Sequence, residues 1–290
     1  MALYGLLART FLGPHTTPTA LRSRFERFGR SSRASLRRRY PSLVFEDHVT
    51  GSLALESVRA PAAPKTVLIH LHGGAFVFGS TASYRNRAMR LSYRLQAEVF
   101  VPDYRLAPEH PFPAALDDAL AAYRYVRALR PDARILITGD SAGGGLALSL
   151  LVLLRRLAEP LPAGAILLSP WTDLSVSGAS VAANHGKDRW LARAHLVQWS
   201  RYYAGDADRS LPLLSPVFAE LAGLPPLLVL AGEDEVLLDD ATRVVAAATR
   251  AGTHAELLIG KSMQHDWPLT MPWLPESREA WAKMRRFVDR

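Results

Sequence analysis

A chain of 290 residues with 49% hydrophobic content can bury a large core, and a single α/β domain with insertions commonly reaches this size. The chain has no cysteine, which excludes disulfides and thiolate metal sites and fits a reducing, cytoplasmic setting. Its net charge of +8 is confined to residues 1–40, where nine arginines face a single acid, Glu26, and the rest of the chain balances.

In that basic segment Leu21, Phe25 and Phe28 fall at i, i+4 and i+7, so one helical face is apolar and the arginines project elsewhere. The favoured reading is a helix packed on the domain by that face with its arginines solvated. Contact of the arginines with an anionic membrane or nucleic acid is the alternative. The apolar run at residues 3–7 is too short for a targeting signal, Arg9 interrupts it and no charged region precedes it. No later stretch reaches the ~20 uninterrupted apolar residues of a membrane span, so a soluble protein without nucleic-acid partners is expected.

Residues 44–59 form two short segments around Thr50-Gly51-Ser52, the pattern of a β-hairpin, which residues 61–64 close with prolines. Thereafter short apolar runs at 66–71, 99–102, 134–138, 164–168, 227–231 and 255–259 alternate with helical stretches. Such runs predict a mostly parallel sheet covered by helices on both faces, with functional groups at the strands' carboxyl ends.

At the first such end lies His72-Gly73-Gly74-Ala75-Phe76. Gly73 and Gly74 can turn their N–H groups inward as an oxyanion hole requires. A metal pair of His70 and His72 is disfavoured because no third ligand is near in sequence, and no metal site is expected. The next end, residues 101–113, carries four prolines, and its charges Asp103, Arg105 and Glu109 read as braces of an ordered loop. The third is Gly139-Asp140-Ser141-Ala142-Gly143-Gly144-Gly145, between an apolar strand and an apolar helix. A strand that runs through Gly-x-Ser-x-Gly into a helix lifts the serine hydroxyl above the sheet, and the N–H of the next residue, Ala142, becomes an oxyanion donor. Each glycine in that first turn costs a free helix about 1 kcal/mol against alanine, so stability alone does not place them there.

His72-Gly73-Gly74, Tyr104-Arg105-Leu106-Ala107-Pro108-Glu109, Gly139-Asp140-Ser141-Ala142-Gly143-Gly144 and Ser169-Pro170-Trp171-Thr172-Asp173-Leu174 occur in order. Together they resemble the bacterial hormone-sensitive-lipase-like esterases of the α/β-hydrolase superfamily, from about residue 40 to near the end. The resemblance implies an α/β-hydrolase fold with a helical cap, hydrolysis of short- to medium-chain carboxylesters, no cofactor and a homodimer through the last strand. It also implies a Ser-Asp-His triad in that chain order. Ser141 is then the nucleophile. In Gly232-Glu233-Asp234-Glu235 the family pattern aligns Asp234 with the acid, Glu233 and Glu235 pointing away, while Asp239 and Asp240 begin the following helix. His254 precedes its strand and His265 follows it, so His265 is the expected base. Asp266 stands where the family often has glycine.

Residues 1–40 and an insertion at about 175–220 are the stretches that a 41–290 catalytic core does not need, and they read as a cap. Phe76, Trp171, Trp190, Trp199, Tyr203 and Trp267 are candidates for the walls of a substrate pocket. A lactonase, a metabolite or sugar deacetylase, or an amidase would use the same triad, and a non-catalytic receptor on the same scaffold is the remaining class.

Overall fold

The apolar runs are indeed strands. The computed structural model describes residues 16–60 and 65–290; residues 3–7 and 61–64 of the sequence reading lie outside them. Among the described residues, β1 (Val44–Thr50), β2 (Leu53–Arg59), β3 (Thr66–Leu71), β4 (Glu98–Pro102), β5 (Arg134–Asp140), β6 (Gly164–Leu168), β7 (Leu227–Gly232) and β8 (Ala255–Gly260) form one sheet in the order β1-β2-β4-β3-β5-β6-β7-β8. The β1–β2 hairpin is antiparallel and β2 joins β4 antiparallel; from β4 onward all pairings are parallel.

Side chains alternate across the strands, so each central strand feeds two cores. Val67, Ile69 and Leu71 of β3 face one layer with Ile137, Leu167 and Val229; it is covered by α4 (Ala114–Leu129), α5 (Ala142–Arg156) and α8 (Leu238–Arg250). Leu68 faces the other with Leu136, Ile166 and Leu228, beneath α3 (Thr81–Leu95) and α10 (Pro275–Val288). Burial on both faces is why these strands read as continuous apolar runs. Among the described residues no helix is long and apolar enough to cross a membrane.

The N-terminal segment contributes α1 (Pro18–Gly29) and α2 (Arg33–Arg39). Leu21 is buried in the first core and Phe25 packs on Phe78 with ring centroids 5.1 Å apart, as the apolar face predicts; the Phe28 side chain lies outside the described part. Two arginines are bound rather than solvated. Arg22 donates to the Val77 and Ala107 carbonyls at 2.8 Å each and pairs with Glu109. Arg33 bridges Glu56 at 2.6 Å and Asp47 at 2.7 Å. The expected braces hold as well: Arg105 pairs with Asp118 at 2.8 Å, and Asp103 accepts from the Thr81 N–H at 3.0 Å.

The insertion carries α6 (Ser180–Ala183) and α7 (Arg193–Ala204). It is pinned where β7 and β8 end: Asn184 donates to the carbonyls of Glu233 (3.0 Å) and Glu235 (2.9 Å), Asp188 accepts from the Val236 N–H (2.9 Å), and the Arg189 N–H donates to Gln264 (2.8 Å). Asp239 and Asp240 begin α8 as expected, and they also hold residues 172–180, accepting from the N–H groups of Ser180 (2.9 Å) and of Thr172 (2.6 Å).

The close approach of α5 to β3 sets the position of the strand-to-helix turn. A Cβ on Gly143 would lie 2.0 Å from the Leu71 carbonyl oxygen, inside any allowed contact. Gly143→Ala must therefore push helix and strand apart. It is expected to cost about 2 kcal/mol or more and to lower Tm by at least about 4 °C in a thermal melt; an unchanged Tm contradicts this packing.

Candidate active site

Ser141 sits at the β5–α5 turn with φ 55° and ψ −123°, a conformation that costs a non-glycine residue about 1–3 kcal/mol. The surroundings over-determine it. Its N–H donates to the Leu168 carbonyl at 2.9 Å, and its carbonyl accepts from Gly144 (3.0 Å) and Trp171 (2.9 Å). The hydroxyl-bearing residue opens onto a cavity of about 90 Å³ whose wall also includes His265, Gly74 and Ala75.

His265 lies in the loop between β8 and α9 (Trp267–Thr270). Its Nδ1 is 2.9 Å from Glu235 Oε2, and because a carboxylate only accepts, the ring donates there and leaves Nε2 as the basic nitrogen. The carboxylate on His265 is thus Glu235, not Asp234, and the expectation that Glu235 points away is corrected. After β7 the chain turns so that Glu235 Oε1 accepts the Gly232 N–H at 2.9 Å, which folds this fully buried side chain back under the histidine. Asp234 is held by its N–H on the Met263 carbonyl at 3.1 Å and makes no described bond to His265.

The N–H groups left unbonded beside the cavity also lie one residue beyond the pair expected for an oxyanion hole. The Gly73 N–H is donated to Asp140 Oδ1 at 3.1 Å, so it is not available to a substrate. Gly74 (φ 120°) and Ala75 (φ 55°) turn beyond it along the cavity wall, and among the described residues their N–H groups have no acceptor. Ala142, the first residue of α5, adds a third donor at the positive end of that helix. Asp140 is a brace: it also takes the Tyr84 hydroxyl at 2.6 Å. Burial acts to raise its carboxyl, but the bond with His70 and the nearby Arg87 outweigh that and hold it at about 2. His70 is engaged by Thr138 at 2.8 Å, and His72 stacks on Tyr104 with ring centroids 4.1 Å apart. Among the described residues no cluster of three or more potential metal ligands occurs.

Asp266, next to the base, places Oδ2 at 3.3 Å from His265 Nε2. Burial pushes the imidazole down, but the carboxylates of Asp266 and Glu235 at its two nitrogens, with Asp188 behind them, prevail and raise it to about 10. Burial likewise raises Glu235 and Asp266. Asp266 Oδ1 is buried with no hydrogen-bond donor among the described residues, an arrangement that costs about 1–3 kcal/mol.

A model of the α/β hydrolase fold matches residues 68–269, well over half of the chain. The chain belongs to the α/β-hydrolase fold family. Within it the protein is of the bacterial hormone-sensitive-lipase-like group. An esterase from the bacterial hormone-sensitive lipase family superposes with TM-score 0.90 at 35% identity, covering 99% of this chain and 96% of that one. An acetyl-hydrolase of Streptomyces hygroscopicus is 41% identical over 79% of this chain and 77% of its own. An esterase of Acinetobacter venetianus is 36% identical over 80% and 78%.

Of the aromatics expected around a substrate, Trp190 and Trp199 line the hydrolase's cavity. Phe76, Trp171, Tyr203 and Trp267 are not in its wall. Phe76 stacks face to face on Tyr203 at 3.7 Å, Trp171 donates Nε1 to the Asp173 carbonyl at 3.1 Å, and Trp267 is fully buried, so all four serve as core. Phe25, Phe78, Tyr84 and Arg87 complete the wall instead. The apolar face of α1 was the available signal for Phe25; nothing in the local pattern marked the other three.

The His265 ring should titrate well above the ordinary histidine range, near 10, when followed by NMR. Asp266→Asn removes one of the two facing anions and should lower that midpoint by about 1–3 pH units. A wild-type midpoint near 6.5 contradicts the charge arrangement.

Proposed function

We propose that this protein is a serine carboxylesterase acting on small acyl esters through Ser141, His265 and Glu235. The neutral form of His265, a minor species at neutral pH because its two carboxylate neighbours raise it to about 10, takes the Ser141 proton at Nε2, the alkoxide attacks the ester carbonyl, and the N–H groups of Gly74, Ala75 and Ala142 receive the oxyanion. The tetrahedral intermediate collapses with the alcohol leaving on a proton returned by His265, and water hydrolyses the acyl-enzyme by the same route. Glu235 keeps the ring in the tautomer with a free Nε2 and stabilises the imidazolium that forms. The observation that carries this reading is a strained elbow serine sharing one cavity with an imidazole whose far nitrogen is bound to a buried carboxylate.

The cavity of about 90 Å³ favours a short acyl group, well below the roughly 300 Å³ and more of drug-sized sites. The relative named an acetyl-hydrolase supports the same choice. The α1 segment and residues 175–220 act as the cap, since Phe25 comes from the first, Trp190 and Trp199 from the second, and all three bound the cavity. β8, the free edge of the sheet with Ile259 exposed, supports a dimer through that strand.

Turnover of nitrophenyl esters should be highest for acyl chains of about two to six carbons, as the size of a small pocket dictates; a maximum beyond about ten carbons contradicts it. Ser141→Ala should lower kcat by about 10⁴ or more, and Glu235→Ala by about 10³–10⁴. Asp234→Ala should stay near wild type. Loss of activity in Asp234→Ala with full activity in Glu235→Ala would overturn the assignment of the acid.

A further inference from the structure

Among the described residues, Asp266 is the one acidic group whose side chain reaches the working nitrogen of His265 without a place in the chemistry above. It caps α9 in the left-handed region, φ 54° and ψ 32°, which aspartate tolerates better than most residues. Its N–H donates to Ser169 Oγ at 2.9 Å, and its carbonyl accepts from Leu269 (3.0 Å) and Thr270 (2.9 Å). The backbone is therefore fixed, and the carboxylate is held in the cavity wall, where the residue is only 7% exposed. Oδ2 lies 3.3 Å from His265 Nε2 while Oδ1 lacks a donor among the described residues.

This position says which part of a substrate it meets. His265 Nε2 must protonate the departing alcohol oxygen, so that oxygen comes within hydrogen-bond reach of the same nitrogen that Asp266 approaches. Asp266 therefore borders the alcohol side of the ester, a carbon or two beyond the leaving oxygen. We propose that Asp266 is a specificity-determining residue that accepts a hydrogen bond from a hydroxyl on the carbon next to the one bearing the ester oxygen. The preferred substrates are then short acyl esters of 1,2-diols and polyols. The inference rests on the Ser141–His265 reading of the site.

A plain alkyl alcohol would press a methylene against a buried carboxylate and leave its oxygens unpaired, and a polar acceptor deprived of its partner discriminates strongly. The torsion of the carboxylate is broad, so either oxygen can turn to the incoming hydroxyl. The rest of the wall suits such an alcohol. Thr270 offers a second polar group beside Asp266, and Trp190 and Trp199 offer flat apolar faces for the C–H side of a polyol.

The test compares 2-hydroxyethyl acetate with propyl acetate, two esters in which a hydroxyl replaces a methyl of similar size. The wild type should prefer the hydroxy ester in kcat/KM by about tenfold or more, the worth of one hydrogen bond to a charged acceptor. Asp266→Ala should bring the ratio to near one while still hydrolysing propyl acetate. Asp266→Asn, which keeps one acceptor oxygen in the same shape, should retain most of the preference, whereas Asp266→Leu, which keeps the bulk without an acceptor, should lose it and serves where the alanine variant does not fold. Equal rates on the two esters in the wild type, or an unchanged ratio in Asp266→Ala, would overturn the proposal with the triad reading intact. Turnover of neither ester by the wild type, or equal turnover by wild type and Ser141→Ala, would instead overturn the acyl-transfer reading and this assignment with it.

Discussion

A carboxylate and an imidazole buried together set the terms for the whole site. Glu235 has no exposed surface and could not remain there as a lone anion; the 2.9 Å bond to His265 Nδ1 and the Gly232 N–H compensate it. The same bond fixes the ring's tautomer and turns Nε2 toward the cavity that contains Ser141. The two residues come from loops after β7 and β8, adjacent parallel strands, so their separation is set by the sheet rather than by either loop. The serine arrives from β5, two strands further in, on a turn whose strain is held by bonds to residues 168 and 171.

What surrounds that pair is tied to it from outside the sheet. Asn184, Asp188 and Arg189 of the insertion bond to the backbones of Glu233, Glu235 and Val236 and to Gln264, the residue before the histidine. Displacement of this insertion would therefore act on Glu235 and His265 together. From the other side, Arg22 and Arg33 join the N-terminal helices to the loops at residues 77 and 107–109 and to β1 and β2. Two of the nine arginines that stand out in the sequence thus act as staples, and Phe25 on the same helix as Arg22 lines the cavity wall.

The strands, the hairpin, the strand-to-helix turn at Ser141 and the placement of His265 beyond the carboxyl end of β8 were legible because they depend on properties that a sequence states directly: apolar runs, turn glycines and which end of a strand a residue follows. Two assignments were off by one residue, for a shared reason. In Gly232-Glu233-Asp234-Glu235 and in His72-Gly73-Gly74-Ala75 the chain leaves a strand through a tight turn, where direction changes from residue to residue and no period of 2 or 3.6 applies. There the pairing of Glu235 with the Gly232 N–H, and of Gly73 with Asp140, decides which group faces the cavity. The pocket aromatics failed differently: Phe76, Trp171 and Tyr203 are as apolar as Trp190 and Trp199, and only packing separates a wall from a core.

The central claim is that Ser141 is made nucleophilic by an imidazole that Glu235 orients. Reaction with a fluorophosphonate, followed by intact-mass and peptide mass spectrometry, tests it most directly. The account predicts one adduct per chain, on Ser141, and a labelling rate that falls by orders of magnitude in His265→Ala. An adduct on another residue, or labelling of Ser141 at the same rate without His265, would contradict it.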